Sequence, residues 1–453
     1  MRPGLNQMNL SQIHNVFFIG IGGIGMSALA RYFRNIGKTV AGYDKTPTAL
    51  TNEMVAQGFP IHFKDDINLI PDTFKPENSL VVITPAVPKD QSQWKHFTEG
   101  GFQVMKRAQV LGLITKDTYC FAVAGTHGKT TTSGILGHIL YESGVDVTAF
   151  VGGIVENYNS NLIGSGKSVT VVEADEFDRS FLHLHPDMAC VTSMDADHLD
   201  IYGTVDSIQD SFREFAAKIS DAKNLFVPLG MPLDGTSVGI GGNALYTAQN
   251  IRIEKGAYLF DAHTPRQIIR DIRFCLPGHH NLMNALMALA MAENYGVDAA
   301  KIATALGTFA GIRRRFSYQI RRHDKVYVDD YAHHPTEIDA VHQALRELYP
   351  GQKILIAFQP HLFSRTRDFA SGFAKSLSAF DEVLLLDIYP ARELPMEGIT
   401  SAWLLEKIKN PNKKLVSKDQ LINDLRVSDA TVIATVGAGD IGEMVVQIKQ
   451  ALS

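Results

Sequence analysis

The chain has 453 residues, enough for about three domains at roughly 150 residues each, and its 45% hydrophobic and 20% charged composition is that of an ordinary globular protein. A formal net charge of −5 gives no electrostatic footing for nucleic acid or an anionic membrane surface, so an anionic ligand must be held by local devices. Cys120, Cys190 and Cys275 are scattered, with no C-x-x-C pair, which argues against a disulfide framework or a thiolate zinc site and fits a reducing compartment.

The first apolar run, Val16–Ile19, reads as a buried strand, followed by a glycine turn and a helix over about Met26–Ile36. The stretch Val16–Ala30 carries four glycines and lacks the basic flank of a signal peptide. Nothing approaches the ~20 apolar residues of a membrane span, so a cytoplasmic protein is expected. Gly37 stops the helix, Thr39–Tyr43 is the next strand, and Leu80–Ile83 a third. A fresh strand–loop–helix begins near Tyr119, with the strand Cys120–Ala124 and a helix over Thr131–Tyr141. Strands at Val169–Val172 and Met188–Thr192 and a helix near Val205–Ile219 follow. A Gly- and Asn-rich patch at Gly230–Asn243 leads into short β-like pieces, and Asn281–Tyr295 is a clear helix. Beyond Arg313-Arg314-Arg315, strands at Lys325–Val328, Ile354–Phe358, Val383–Leu386 and Thr431–Thr435 alternate with helices. Those helices are placed at Thr336–Leu348, Arg367–Ala379, Ala402–Lys409 and Ile441–Ala451. The pattern predicts an α/β protein with largely parallel sheets, its last third a doubly wound unit.

Two glycine loops carry the chemistry. Gly20-Ile21-Gly22-Gly23-Ile24-Gly25 is a G-x-G-x-x-G between strand and helix, which suits a diphosphate at a helix N-terminus. Asp44 closes the next strand, where an acid accepts from a ribose hydroxyl. Taken alone, this pattern fits a dinucleotide dehydrogenase as well as a nucleotide-sugar binder. The second loop is Gly125-Thr126-His127-Gly128-Lys129-Thr130-Thr131-Thr132. Its backbone amides would cradle phosphates, Lys129 would reach the terminal ones and the Thr130 hydroxyl would ligate Mg²⁺. Only two residues separate its glycines, fewer than in the common phosphate loop. Downstream strands end in Glu173-Ala174-Asp175-Glu176 and in Asp195-Ala196-Asp197-His198, placing acids where magnesium is usually held.

Together these segments resemble the Mur ligase family over essentially the whole chain, and the shortened loop is similar to that family's ATP loop. Within the family, Gly20–Ala30 (including Met26 and Ser27), Asp195–Gly203, Gly278–Asn284, Arg314-Arg315-Phe316, Asp329–Glu337 and Phe358–Asp368 resemble the branch that adds L-alanine. The resemblance implies a Rossmann-like UDP-sugar domain over residues 1–115, a central P-loop ATPase over 116–316 and a C-terminal Rossmann-like amino-acid domain over 317–453. It implies ATP, Mg²⁺, UDP-N-acetylmuramate and L-alanine as ligands of a monomer or homodimer, in cell-wall precursor synthesis. Lys129 would act on the ATP phosphates, with Thr130, Glu173 and His198 around magnesium. His280, Asn281 and Asn284 would lie near the adenine, with Arg315 and Asp330 over the nucleotide. His333, His334, His361 and Arg365 would face the amino acid, Arg365 gripping its carboxylate. Two departures are visible. Leu362 stands where some relatives carry a second arginine, and the region Ser211–Glu214 offers no lysine of the kind that sister ligases carbamylate.

Overall fold

The computed structural model describes residues 10–84, 87–195, 202, 204–254, 256–391 and 393–453. The chain divides into two compact units. The first holds residues up to 247 with 264–267 and 286–305, and the second holds 248–263, 268–285 and 306 onward.

The first unit contains a wholly parallel five-stranded sheet. Its strands are β1 (Asn15–Ile19), β2 (Thr39–Tyr43), β3 (Ile61–His62), β4 (Ser79–Ile83) and β5 (Gln103–Lys106), in the order β3-β2-β1-β4-β5. Parallel strands buried on both faces read as continuous apolar runs, and here alternate residues serve different cores. Val16, Phe18, Leu80 and Val82 enter one apolar cluster, while Phe17, Ile19, Val81 and Ile83 enter another. The helices α1 (Ile24–Asn35) and α4 (Arg107–Lys116) follow β1 and β5, with α2 (Ala49–Ala56) and α3 (Ser92–Glu99) between.

A second sheet of this unit runs β12-β11-β10-β6-β9-β7-β8. It comprises β6 (Tyr119–Ala124), β7 (Val147–Val155), β8 (Ser160–Gly164), β9 (Val169–Glu173), β10 (Met188–Val191), β11 (Leu225–Pro228) and β12 (Thr236–Ile240). Only the β7–β8 pair is antiparallel. Helix α5 (Lys129–Glu142) follows β6 and is buried from Thr130 through Leu140. The two sheets share one continuous apolar cluster, which includes Phe33 of α1, Phe150 of β7 and Leu162 of β8. Tyr32 and Phe150 meet with ring centroids 5.3 Å apart. The Asn161 amide, fully buried, donates to the Ile24 carbonyl at 2.6 Å and to Ser27 Oγ at 2.8 Å.

In the second unit, β14 (Ala257–His263) and β15 (Ile268–Phe274) form an antiparallel hairpin. The long strand β13 (Tyr246–Glu254) carries the chain into this unit. The pieces expected to be short β-like fragments are therefore full strands. Partial alternation of burial along β15, with Ile269, Ile272 and Phe274 buried, explains why no long apolar run announces them. The C-terminal sheet runs β16-β17-β21-β18-β19-β20, built from β16 (Ser317–Arg321), β17 (Val326–Asp330), β18 (Ile354–Phe358), β19 (Glu382–Leu385), β20 (Lys413–Leu415) and β21 (Val432–Val436). It is parallel except for its edge strand β16. Val328, Ile356 and Ala434 face one core, whereas Tyr327, Leu355 and Ile433 face another, as a doubly wound sheet requires.

Two expected helices are corrected. The helix placed at Arg367–Ala379 is a pair, Phe363–Asp368 and Ala370–Leu377, broken at Phe369, whose φ of −110° and ψ of 18° leave the helical region. The final helix begins as a 3₁₀ segment, Asp440–Met444, and becomes α-helical only at Val445–Leu452. Tightened first turns of this kind are common at helix ends.

Candidate active site

At the carboxyl end of β1, Gly20 turns the chain with φ +86°. The Gly22 amide donates to Asp44 Oδ2 at 2.7 Å, so the acid expected at a ribose also braces the loop itself. Gly23 precedes α1 as its N-cap, with Ile24 and Gly25 in its first turn. Met26 and Ser27 are buried, and Ser27 Oγ donates to the Ile24 carbonyl at 2.9 Å. Ser27 therefore faces inward, with its hydroxyl tied into the packing of α1.

The second glycine loop lies between β6 and α5 and is clamped to the segment after β10. Thr126 Oγ1 donates to the Asp195 carbonyl at 2.9 Å, and the His127 amide donates to Ser193 Oγ at 2.8 Å. His127 Nε2 lies 3.3 Å from the Asp195 carboxylate. Gly125 has φ +128°, and a Cβ there would fall 2.1 Å from Thr192 Oγ1 and 2.8 Å from the Ser193 amide nitrogen. Gly125→Ala combines a backbone conformation costing about 1–3 kcal/mol with a steric overlap. It is expected to lower the thermal midpoint and to abolish its upward shift with ATP. A variant that keeps both the wild-type midpoint and the ATP shift would show that the loop tolerates a side chain here.

Lys129 opens α5 after Gly128. Its ammonium donates to Glu176 Oε2 at 2.7 Å and Oε1 at 3.0 Å, and to the Gly125 carbonyl at 2.7 Å. Burial alone would pull its pKa down, but Glu176, Asp175 and Glu173 outweigh burial and hold it above the usual lysine value. The next residue, Thr130, donates its hydroxyl to Glu173 Oε2 at 3.1 Å; Ser133 donates to Oε1 at 3.2 Å, and the Gly152 amide also bonds that carboxylate. Thr131 is buried within the first turn of the helix. Sequence reasoning noted Glu176 only as part of an acidic run, and it missed Ser133 entirely. The helical spacing from Thr130 to Ser133 was the available signal, since residues three apart share a face. His198 lies outside the described residues. Among the described residues, no group of three or more His, Cys, Asp or Glu side chains is gathered for a metal.

In the second unit, His280 and Asn281 open the helix His279–Tyr295. Asn281 and Asn284 are buried, and Asn281 Nδ2 donates to the Pro277 carbonyl at 2.7 Å. The turn before them is braced by Tyr258, whose hydroxyl accepts from the Gly278 amide at 3.1 Å and donates to Glu347 at 2.7 Å. Arg315 lies 5.2 Å from the Tyr331 ring centroid. Asp330, at the end of β17, is buried and accepts the amides of Phe316 at 2.6 Å and Ala332 at 2.7 Å. Burial pushes its carboxyl up to about 6, against the opposing pull of Arg315 and those amides.

The carboxyl ends of β17 and β18 bring His333, His361 and Arg365 together. His333 and His361 have ring centroids 6.1 Å apart, and Arg365 Nη1 is 3.5 Å from His361 Nδ1. Arg365 is buried, and the His361 ring stacks on Tyr389 at 5.7 Å. His333 Nδ1 lies 3.0 Å from the Tyr331 carbonyl and 3.6 Å from Glu337. His334 has a different place. Its Nδ1 accepts the Thr336 amide as the cap of the helix Pro335–Leu348, and its ring meets the Phe369 ring edge-on at 4.7 Å. Leu362 sits at φ +69°, which is rare for a branched side chain and marks a backbone held by its surroundings.

Comparison with known proteins extends over all these segments. Family models described as the Mur ligase family catalytic domain, the Mur ligase middle domain and the Mur ligase glutamate ligase domain match residues 15–119, 123–292 and 314–440. A Flavobacterium johnsoniae protein named UDP-N-acetylmuramate–L-alanine ligase is 68% identical over 446 residues, covering 98% of this chain and 99% of that one. The solved UDP-N-acetylmuramate–alanine ligase of Thermotoga maritima superposes with a TM-score of 0.80 at 27% identity, covering 97% of this chain and 98% of that one. A murein peptide ligase of Psychrobacter arcticus shares the fold, with a TM-score of 0.67 at 23% identity over 97% of this chain and 98% of that one. The chain belongs to the Mur ligase family.

Proposed function

We propose that the chain is an ATP-dependent ligase that forms an amide between the carboxylate of UDP-N-acetylmuramate and L-alanine, in the cytoplasmic synthesis of cell-wall precursors. The observation that carries this reading is the whole-length likeness to L-alanine-adding ligases. It is supported by the charge pattern of the phosphate loop, where a part-buried cation is followed by a hydroxyl bonded to a strand-end carboxylate. No helix among the described residues is long and apolar enough to cross a membrane.

In this reading the first glycine loop and Asp44 hold the UDP-sugar. The amides of Gly125–Thr131 and the Lys129 ammonium neutralise the ATP phosphates. The lactyl carboxylate attacks the γ-phosphorus, ADP leaves, and an acyl phosphate remains. The amine of L-alanine then attacks the acyl carbon and phosphate departs. These steps need positioning and charge neutralisation more than covalent help from the protein. Thr130 and Glu173 present hard oxygen donors that fit Mg²⁺, an ion that needs only one or two carboxylates beside phosphate and water, and His198 would join them. Bound there, magnesium would screen the developing charge on the phosphates. Arg365 is assigned the alanine carboxylate, and His280, Asn281, Asn284, Arg315 and Asp330 the nucleotide.

Of the adjacent histidines, His333 is the better acceptor of the amine proton: the lone pair of His334 Nδ1 takes the Thr336 amide, whereas His333 Nδ1 faces the Tyr331 carbonyl as a donor, which keeps its lone pair on Nε2. His333→Gln is expected to lower kcat about 10²-fold and to remove the acidic limb of the pH profile. An unchanged profile would exclude the role.

The reading as a whole is tested by ADP release with Mg-ATP, the muramyl nucleotide and separate acceptors. Turnover that requires L-alanine supports it. Turnover only with the wall tripeptide would transfer the assignment to a peptide-recycling ligase, and none with any acceptor would remove it.

A further inference from the structure

Arg107 belongs to none of the motifs discussed so far. It is the first residue of α4, directly after β5, and therefore lies on the same carboxyl edge of the parallel sheet as the first glycine loop. Its guanidinium covers Gly25. A Cβ built on that glycine would fall 2.8 Å from Arg107 Nη1 and 3.2 Å from Cζ. The same guanidinium reaches Asp175 Oδ2 at 3.3 Å, in the acidic run whose Glu173 and Glu176 hold Thr130 and Lys129.

The charge around this guanidinium is unbalanced. It stands against the positive end of α1, whose first turn contains no acid, and at the head of α4, whose first turn contains none either. Among the described residues, Asp175, itself part-exposed, is the one carboxylate paired with it. Arginine presents five N–H donors in a planar fork, and one carboxylate oxygen occupies few of them. The remaining donors stand over the loop glycine where the reading above places a diphosphate.

We infer that Arg107 is a further substrate-binding residue, gripping the diphosphate of the muramyl nucleotide over Gly25 while Asp175 fixes the guanidinium from the ATP side. This rests on the ligase reading. It makes Arg107 the residue that ties the sugar-nucleotide loop to the acids of the phosphate loop. A Cβ at position 25 would press on the guanidinium and force the fork to shift.

The test uses the full-length protein with UDP and uridine as calorimetric probes, beside steady-state kinetics. The wild type is expected to bind UDP more tightly than uridine. Arg107→Ala should weaken UDP by roughly tenfold or more while leaving uridine unchanged, as the loss of a charge-assisted pair predicts. It should raise KM for the muramyl nucleotide without moving KM for ATP or L-alanine. Arg107→Lys should recover part of the UDP affinity. Asp175→Asn should retain the preference for UDP, which separates a ligand contact from a merely structural ion pair. Arg107→Ala with unchanged UDP affinity, or with equal losses for UDP and uridine, overturns the inference. A wild type that binds UDP but shows no alanine-dependent turnover removes the ligase reading and leaves the Arg107 contact standing as an anion contact. A wild type without UDP binding removes both.

Discussion

Lys129→Ala is expected to reduce kcat by about 10³-fold, the scale on which deleting a preorganised charge at a transferring phosphoryl group is felt. It should also destabilise the fold. Glu176 is only 1% exposed, and its carboxylate takes two bonds from the Lys129 ammonium. Removing the ammonium takes the counter-charge from a carboxylate buried in the fold, at a cost of about 3–5 kcal/mol. The two effects can be separated. Lys129→Met combined with Glu176→Gln replaces the pair by neutral groups of similar size and should recover most of the stability while recovering none of the turnover. Single-turnover ADP formation and denaturant unfolding on the three proteins decide the matter. Near-normal turnover in Lys129→Ala would show that the loop amides suffice. Full stability in the same variant would show that Glu176 readily finds another partner.

The second large effect is expected at the acceptor end. Arg365 is 7% exposed and is held beside His361 near the ends of β17 and β18. A guanidinium in this position can take both oxygens of a carboxylate, and losing such a grip is worth roughly 2–5 kcal/mol. Arg365→Ala should therefore raise KM for L-alanine by about 10²-fold, with KM for ATP little changed. Arg365→Lys should recover only a fraction, because an ammonium lacks the planar fork. Equal increases in the KM of ATP and of alanine would indicate a collapsed domain instead of a lost carboxylate contact. Leu362 sharpens the experiment: no second arginine precedes Phe363 to share the load.

The glycine loops were legible because their chemistry is local. A turn, a strand before it and a helix after it lie within a dozen residues, so the place of Lys129 and Thr130 at the head of a helix followed from spacing alone. Strands β2 and β18 were placed to the residue because each is an apolar run bounded by turn residues. Glu176 and Arg107 were not assigned roles, since their significance comes from partners 47 and 68 positions away. The broken helix around Phe369 escaped for a different reason. Its first half starts after Leu362 with no side-chain cap, so no start signal is written there. The role of His334 as a cap was hidden as well, because histidine is not among the residues that announce a helix start.

The buried amide of Asn161 has a consequence for the parts into which this chain can be cut. Helix α1 is not finished by its own sheet: it leans on β7 and β8 through Tyr32, Phe33 and the two bonds from Asn161. A fragment excised near residue 115 would carry that helix with one flank stripped and would tend to self-associate. The support of α1 is thus discontinuous in the chain although continuous in space, since Phe150 of β7 and Asn161 of β8 complete a helix that begins at Ile24.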